Sequence, residues 1–370
     1  MKILQSCPNI NLEEYEAMRE CFETNWLTEG PKSKQFVDEI CKLQNIKYGV
    51  LAPNGTLALY LGLMALDIQE GDKIIIPDCT FIASANAVLM CRAKPIFVDI
   101  NLNDFQIDID NCENILKKDF KDVKAIMPVH LFGMSCDMTK VMKFAKKYNL
   151  KIIEDACQGI GIKWKNKFCG SFGDVGCFSF FADKTLSTIE GCFVGTNNKK
   201  IYEKLLYLRN QGRLNRGSFI HPEIGFNFRM NDIQSAIGLV QIKKFSNMSK
   251  RKLEIYELYK ENLNGVRQIK ITEPEKNSNF IPFRVTILCG GDQQDLSDYL
   301  KDKGIESRTF FYPLHKQPCF EKLNYQSCDD KYFPNSIYAF NHGICLPVHY
   351  KITNEDVIYI CDMIKKYYGE

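Results

Sequence analysis

The most constraining feature of this 370-residue sequence is an alternation of short apolar runs and helical patterns between about residues 45 and 200. The apolar runs predict buried strands at 73–77 (KIIIP), 95–100 (PIFVDI), 124–130 (KAIMPVH) and 151–155 (KIIED). The segments between them, 54–68, 81–93 and 137–149, place apolar residues at helical spacing. Fully apolar strands separated by helices predict a mostly parallel sheet that is covered on both faces. In such sheets, ligands bind beyond the carboxyl ends of the strands.

The last third of the chain has a different pattern. A long helical pattern from Asp232 to Leu263 is followed by an apolar run at 280–288, a helical pattern at 295–305 and a final predicted helix at 354–368. These elements predict a small α+β domain. Because 370 residues are many for one hydrophobic core, we predict an α/β protein with a large domain at residues 1–245 and a small C-terminal domain at residues 246–370.

The composition narrows the possible partners. A formal net charge of +3, with lysine and arginine scattered along the chain, favours neither nucleic acid nor a membrane surface as a partner. The N-terminal segment lacks the apolar core of a signal peptide, and no uncharged apolar run approaches the length of a membrane span. Sixteen cysteines without a C-x-x-C pair, and five scattered histidines, indicate a reducing compartment and no metal site. We therefore expect a cytoplasmic protein.

Lys184 lies between two apolar runs in the stretch CFSFFADKTLSTIEGCFVGTN, residues 177–197. It is either a turn residue with its amine in solvent or an amine placed to condense with an aldehyde. Asp155 follows Glu154 at the end of another predicted strand. A carboxylate there needs a cationic partner, or it caps the following segment.

Gly55 and Thr56 begin a predicted helix, whose unpaired N–H groups and dipole suit a phosphate; the alternative is an ordinary helix cap. A helix start, a strand-end aspartate and a strand-end lysine together are what pyridoxal phosphate requires. Lys184 would bind its aldehyde, Asp155 would keep its ring nitrogen protonated, and the helix start would hold its phosphate. Phe81 follows another predicted strand and is either a stacking partner for the ring or a core residue.

The motifs of competing enzyme classes do not occur in the sequence. No G-x-G-x-x-G follows the first predicted strand, which disfavours a nicotinamide enzyme. Neither G-x-S-x-G nor H-E-x-x-H occurs, which disfavours a serine hydrolase of that type and a zinc protease.

Ten segments, in order along nearly the whole chain, resemble the DegT/DnrJ/EryC1/StrS family of pyridoxal-phosphate sugar aminotransferases, which have the aspartate aminotransferase fold (fold type I). The segments are NWLTEGP, NGTLALYLGLMAL, GDKIIIPDCTFIASANAV, PIFVDI, PVHLFG, IIEDACQ, GSFGDVGCFSFFADKT, RNQG, GFNFRMNDIQSAIGLVQ and FFYPLHKQP. The resemblance implies a mostly parallel sheet in the large domain and pyridoxal 5′-phosphate as the cofactor.

The resemblance also implies roles for individual residues in cofactor binding. Lys184 matches the Schiff-base lysine, and Asp155 matches the partner of the pyridine nitrogen. Gln158 matches the glutamine packed against the ring. The residues that match the phosphate ligands are Gly55, Thr56 and Ser179. Phe81 matches the aromatic residue that stacks on the ring.

Other matches concern the partner subunit and the substrate. Asn227 matches the asparagine that reaches the phosphate of the neighbouring subunit's cofactor, which implies a homodimer with shared active sites. Residues that resemble parts of the sugar pocket are Trp26, Thr28 and His315.

The segment around Lys184 bears on the reaction. Lysine at this position favours transamination over the dehydration carried out by family members with histidine there. Members acting on sugar carbon 3 tend to read YPGKNLGALGDGG, and those acting on carbon 4 tend to read FFgNKTITTGEGG. The sequence FFADKTLSTIEGC is closer to the second pattern, although Ile189 and Cys192 replace two of its glycines and add bulk where a turn normally needs glycine.

The resemblance therefore implies a two-stage amino transfer for surface glycan biosynthesis. Glutamate is the expected donor, and the acceptor is a nucleotide-linked 4-keto-6-deoxy sugar. Lys184 is expected to move the proton in both stages. The alternatives are carbon-3 transamination, pyridoxal-phosphate-dependent dehydration and, from another class, a non-enzymatic sensor of the same fold. The nucleotide, whether GDP, UDP or dTDP, stays open.

Overall fold

The structure is a computed structural model, and it describes residues 2–117, 121–213, 217, 219–323 and 329–370. The α-helices are α1 Leu12–Glu23, α2 Pro31–Gln44, α3 Gly55–Ala65, α4 Ala83–Met90, α5 Ile109–Leu116, α6 Met138–Tyr148, α7 Lys199–Leu208, α8 Asp232–Asn262, α9 Gln293–Asp302, α10 Pro318–Glu321, α11 Pro334–His342 and α12 Asn354–Tyr368. Single 3₁₀ turns lie at Leu131–Gly133, Leu314–Lys316 and Asp330–Tyr332.

The strands are β1 Tyr48–Ala52, β2 Lys73–Pro77, β3 Lys94–Val98, β4 Val123–Ile126, β5 Lys151–Asp155, β6 Lys163–Trp164, β7 Lys167–Phe168, β8 Val175–Ser179, β9 Cys192–Thr196, β10 Ile269–Ile271, β11 Val285–Cys289, β12 Arg308–Thr309 and β13 Gly343–Leu346. They form a seven-stranded sheet in the order β1-β9-β8-β5-β4-β2-β3, a four-stranded sheet in the order β10-β11-β13-β12, and the hairpin β6-β7.

The seven-stranded sheet is parallel from β3 to β8 and antiparallel at its other edge, where β9 pairs with β8 and β1 pairs with β9. Its central strands β5 and β8 are almost wholly buried, as expected for strands covered on both faces. The four-stranded sheet is antiparallel throughout. The predicted fold class is therefore confirmed.

Most predicted elements agree with the structure within a few residues. The strands at 73–77 and 151–155 and the helix at 354–368 have the predicted bounds. The run predicted as a strand at 124–130 is a strand only to Ile126, and beyond it Val129 forms an isolated bridge with Asp155. Side-chain caps help to define the helix starts: Asn54 Oδ1, for example, accepts a hydrogen bond of 3.0 Å from the N–H of Leu57.

Helix α8 runs through the predicted domain boundary at residue 245. Phe245 packs in a core cluster with Phe36 of α2, whereas Ile255 and Tyr259 pack with the four-stranded sheet. That second core also contains Val129 from the end of the large sheet. The two parts of the chain therefore share one long helix and part of one core.

Candidate active site

A cavity of about 720 Å³ lies beyond the carboxyl ends of the parallel strands, at the start of α3. This is the edge of a parallel sheet at which ligands are expected. Residues from both parts of the chain line it, and they include Asn54, Gly55, Thr56, Thr80, Phe81, Asp155, Gln158, Ser179, Asp183, Lys184, Glu190, Phe283, Arg284 and Arg308.

Asp155 is the last residue of β5 and is 5% exposed. Its Oδ2 accepts a hydrogen bond of 2.8 Å from the hydroxyl of Ser84, and its Oδ1 accepts one of 3.1 Å from the N–H of Cys157. These two bonds orient the carboxylate and leave acceptor positions for a further donor, because an ionised carboxylate has about four.

Glu154, the neighbour of Asp155 on β5, points away from the cavity and is fully buried. Its two oxygens accept hydrogen bonds of 2.7 Å from the N–H groups of Gly170, Phe172 and Gly173. His130 Nε2 lies 3.0 Å from Glu154 Oε2. Since the pleat of a strand turns adjacent side chains to opposite faces, only one of the two acids at this strand end faces the cavity.

Lys184 lies in the connection between β8 and β9 and faces the cavity. Its backbone N–H bonds to the carbonyl of Phe181 at 2.9 Å, which closes a turn. The side chain is 15% exposed, and Nζ lies 4.4 Å from the centre of the Phe283 ring. The lysine is thus largely shielded from water, unlike a turn lysine with its amine in solvent.

The N-terminus of α3 lies at the place where the sequence predicts a phosphate site. Gly55 and Thr56 are its first residues, so their N–H groups have no partner within the helix. A Cβ on Gly55 would lie 3.2 Å from Cys157 Sγ and 3.3 Å from the Cβ of Ser179, so glycine keeps this corner open. The place is shaped for a compact anion such as a phosphate.

Phe81 and Gln158 also line the cavity. Phe81 is 56% exposed, and its ring centre lies 6.0 Å from that of Phe311. The predicted interpretation of Phe81 as a core residue therefore does not fit its position. Gln158 is fixed by a hydrogen bond of 2.7 Å from the N–H of Phe132 to its Oε1.

Seven of the predicted site residues thus lie around one cavity, and the other four do not line it in this chain. Trp26, Thr28 and Asn227 are surface-exposed residues, and the backbone of Asn227 forms an isolated bridge with Asn210. His315 is fully buried. Its Nδ1 lies 2.8 Å from Asp78 Oδ2, so its ring is not available to a sugar here.

His315 lies between two carboxylates, one buried and one half exposed. Its Nε2 lies 3.2 Å from Asp330 Oδ1, and its ring stacks on Phe333 at 4.1 Å between centres. Burial lowers the pKa of His315, but the hydrogen bonds and charges of Asp78 and Asp330 outweigh burial and raise it above its usual value. Contacts of both ring nitrogens with carboxylates, and of the ring with Phe333, are typical of a histidine with a structural role.

The two residues that replace glycines of the carbon-4 pattern have different surroundings. Ile189 has φ 72° and is 50% exposed, so it keeps the left-handed conformation that favours glycine. Cys192, in contrast, begins β9, is fully buried and pairs with Ala52 and Ser179. The expectation that Cys192 adds bulk in a turn is therefore wrong, and neither residue lines the cavity.

Several residues of the site carried no signal in the sequence. Ser84 lies inside a helix, and Asp183 is simply the neighbour of Lys184. Phe283 and Arg284 belong to the apolar run at 280–288, which indicated only part of the small C-terminal domain. Their roles depend on contacts over about 70 to 100 residues, which no local pattern encodes.

The comparisons with known proteins agree with this geometry. The model of the DegT/DnrJ/EryC1/StrS aminotransferase family matches residues 8–365. The chain belongs to this family.

Curated relatives match over nearly their whole length. The chain is 36% identical to a GDP-perosamine synthase of Escherichia coli O157:H7, with 98% of each chain covered. It is 30% identical to the UDP-4-amino-4,6-dideoxy-N-acetyl-beta-L-altrosamine transaminase of Campylobacter jejuni, with 98% of this chain and 96% of the other covered. Among solved structures, a family aminotransferase from Brucella abortus has a TM-score of 0.91 at 26% identity, with 97% and 96% coverage.

The protein is accordingly an aminotransferase that uses pyridoxal phosphate, and its residues fit that group. A buried carboxylate with free acceptor positions would hold the ring nitrogen, an amine would hold the aldehyde, and a glycine-lined helix start would hold the phosphate. The described residues contain no group of three or more His, Cys, Asp or Glu side chains placed to bind a metal ion. Within the same part of the chain, no helix is both long enough and apolar enough to cross a membrane.

Proposed function

We propose that this aminotransferase transfers the amino group of glutamate to carbon 4 of a nucleotide-linked 4-keto-6-deoxy sugar, and so supplies an amino sugar for surface glycans. The observation that carries the proposal is that Lys184, Asp155 and the start of α3 face one cavity of about 720 Å³. Carbon 4 is supported by the FFADKT segment and by the Campylobacter relative, whose name contains a 4-amino-4,6-dideoxy sugar.

Different residues of the chain have different roles in the proposed reaction. When bound, pyridoxal phosphate supplies an aldehyde that takes up the amino nitrogen and a ring that accepts electrons. Lys184 Nζ removes a proton from the glutamate carbon in the first stage and delivers one to the sugar carbon in the second. Asp155, fixed by Ser84 and the N–H of Cys157, holds the ring nitrogen. The exposed guanidinium of Arg308 lines the cavity and favours anionic substrates.

We propose further that two chains complete each other's site in a homodimer. The segment that leads to Asn227 carries three large apolar side chains with high exposure: Phe219 at 84%, Ile220 at 77% and Ile224 at 82%. Such exposure is typical of a protein interface. The position of Asn227 outside the cavity of its own chain supports a contribution to the partner's site.

The reaction is tested with ¹⁵N-labelled glutamate and a panel of GDP-, UDP- and dTDP-linked 4-keto-6-deoxy sugars. Transfer predicts ¹⁵N on carbon 4 of one sugar, seen by mass spectrometry and NMR. Label on carbon 3, or loss of a hydroxyl without label, would replace the proposal with carbon-3 transamination or dehydration. In the Lys184→Ala variant, turnover should fall by at least about 1000-fold, because the proton carrier is removed. A near-normal rate in this variant would contradict the role of Lys184.

Sharing of sites is tested by mixing two inactive variants, Lys184→Ala and Asn227→Ala, under conditions that exchange subunits. A mixed dimer would contain one site with both residues intact and one site with neither. Random exchange therefore predicts recovery of about a quarter of the wild-type activity. If the mixture stays inactive although mixed dimers form, Asn227 acts within its own chain or not at all.

A further inference from the structure

Asp183 is the neighbour of Lys184, and only one of its two carboxylate oxygens accepts a hydrogen bond from the described residues. Its Oδ2 accepts a hydrogen bond of 2.6 Å from Arg284, which is only 5% exposed. Its Oδ1 is shielded from solvent, and within the described part of the chain it has no hydrogen-bond donor. Lys184 Nζ lies 3.8 Å from that same Oδ1.

Such an oxygen is energetically unfavourable. A buried acceptor without a donor is destabilising, and more so when it carries charge. An ammonium forms a charge-assisted bond with a carboxylate at about 2.8 Å. A movement of roughly 1 Å by the flexible lysine side chain would therefore bring Nζ into bonding distance of Oδ1.

The surroundings favour a cation at this place. The centre of the Phe283 ring lies 4.4 Å from Lys184 Nζ and 4.3 Å from the guanidinium of Arg284, so one aromatic ring contacts both cations. Asp183 lies between these two positive groups and is bonded to one of them.

We propose that Asp183 is a positioning residue for Lys184: its Oδ1 holds the lysine ammonium whenever Lys184 is not engaged with the cofactor, and Arg284 fixes the carboxylate in that position. The carbon-4 pattern given above has asparagine where this chain has Asp183. An amide cannot form the same ion pair. The place at which Asp183 Oδ1 holds the lysine ammonium is thus a feature of this sequence and not of the carbon-4 pattern.

Arg284 and Lys252 contribute positive charge to the surroundings of Lys184. Asp183 contributes negative charge, 3.8 Å from Lys184 Nζ. Lys252, whose Nζ lies 5.8 Å from the centre of the Phe283 ring, adds a positive charge when it is protonated. Removing Asp183 and removing Arg284 should therefore change the net charge beside Lys184, and with it the reactivity of its amine, in opposite directions.

The inference rests on the proposed function only in that Lys184 becomes free during the cycle, and its test involves no turnover. Purified protein is loaded with pyridoxamine phosphate, which leaves Lys184 with a free amine. The amine is labelled with acetic anhydride over a series of pH values. Peptide mass spectrometry gives the labelling of Lys184 relative to Lys199, an exposed lysine on α7.

The Asp183→Asn variant should increase the relative labelling of Lys184 at pH 8 by about tenfold, because the loss of an adjacent anion favours the neutral, reactive amine. The Arg284→Met variant should decrease it, and Asp183→Glu should keep it near the wild-type value. The Asp183→Asn/Arg284→Met double variant removes one negative and one positive charge, so the net charge beside Lys184 is unchanged. The labelling of Lys184 in this variant should lie between its values in the two single variants.

A purely structural role for the pair predicts something else. Both single variants would then loosen the same connection and change the labelling in the same direction. That result, or unchanged labelling in Asp183→Asn, would overturn the proposal. If Arg284→Met does not fold because it leaves a buried carboxylate unpaired, the comparison of Asp183→Asn with Asp183→Glu and the double variant still decides the question.

Discussion

The two faces of strand β5 carry neighbouring acids with opposite environments. Glu154 accepts four hydrogen bonds, three from backbone N–H groups and one from His130, on the side away from the cavity. Asp155 accepts two on the cavity side. The first acid has its acceptor positions filled by the protein, and the second keeps positions for a ligand.

This difference shows how one strand end serves both structure and chemistry. Glu154 ties β5 to the loop at residues 170–173. Asp155 is held in orientation but is not saturated. A buried carboxylate that the protein leaves partly unsatisfied is therefore a better sign of function than burial itself, which the two acids share.

Asp155→Asn is the strongest test of this comparison. The amide keeps the shape but not the charge that, in the proposed role of Asp155, would hold a protonated ring nitrogen, so the transfer rate should fall by about 1000-fold. The thermal midpoint should change little. Rate and stability are measured by ¹⁵N transfer and by thermal unfolding of the loaded protein. A large loss of stability with a preserved rate would exchange the roles assigned to the two acids.

Glu154→Gln is the matched substitution on the other face. The new amide group would replace an acceptor that now receives two N–H donors, so the free energy of unfolding should fall by about 3 kcal/mol. Activity per folded molecule should stay within about threefold of wild type, because Glu154 does not line the cavity. Urea unfolding and active-site titration separate the two quantities. A rate loss as large as that of Asp155→Asn would show that Glu154 acts on the chemistry.

Lys252→Met extends the comparison to a buried cation. Lys252 is 6% exposed, and its Nζ bonds to the Thr185 hydroxyl at 3.2 Å. Burial, together with Arg284 and Lys184 and opposed by Asp183, lowers the pKa of Lys252 to about 7. Between this value and the usual lysine pKa, the unfolded chain holds a proton that the folded chain lacks. The contribution of Lys252 to stability therefore becomes more favourable as pH rises through that window, and its cost is fully present below pH 7.

Methionine should thus stabilise the protein by about 2 kcal/mol at pH 7, and the gain should shrink toward pH 10. The difference in unfolding free energy between variant and wild type at pH 7 and at pH 9.5 checks the prediction. A gain that does not depend on pH would show that packing, not charge, is responsible.

Ile189→Gly should have the smallest effect. Glycine relieves the cost of a β-branched residue at φ 72°, and little burial is lost because Ile189 is half exposed. Glycine also gives the unfolded chain more freedom, so the net gain should be below about 1 kcal/mol. Calorimetry of the loaded protein is sensitive enough to detect it. A destabilisation instead would indicate that the isoleucine side chain is buried in the assembled protein.

Much of this structure could be predicted from local patterns. Strands such as KIIED are apolar runs with a polar end, and the rule for parallel sheets predicts that Asp155 lies at the ligand edge. Lys184 could be predicted in the same way, from a polar residue between two buried runs. Both signals are local, because burial and strand periodicity are written into consecutive residues.

The remaining features depend on contacts that consecutive residues do not encode. Which of Glu154 and Asp155 faces the cavity follows from strand register, and the burial of His315 follows from Asp78, 237 residues away. The pairing of Asp183 with Arg284 joins residues 101 positions apart. Sequence likeness supplied residue roles, but it did not supply these environments.

Helix α8 connects the two sheets of the molecule. It has 31 residues and extends about 46 Å without interruption, from the core beside the large sheet to the core of the small sheet. A continuous helix is stiff, because bending it sharply breaks backbone hydrogen bonds. The two parts of the chain are therefore connected by a continuous helix and not by a flexible linker. We therefore expect the molecule to keep nearly the same radius of gyration with and without its ligands.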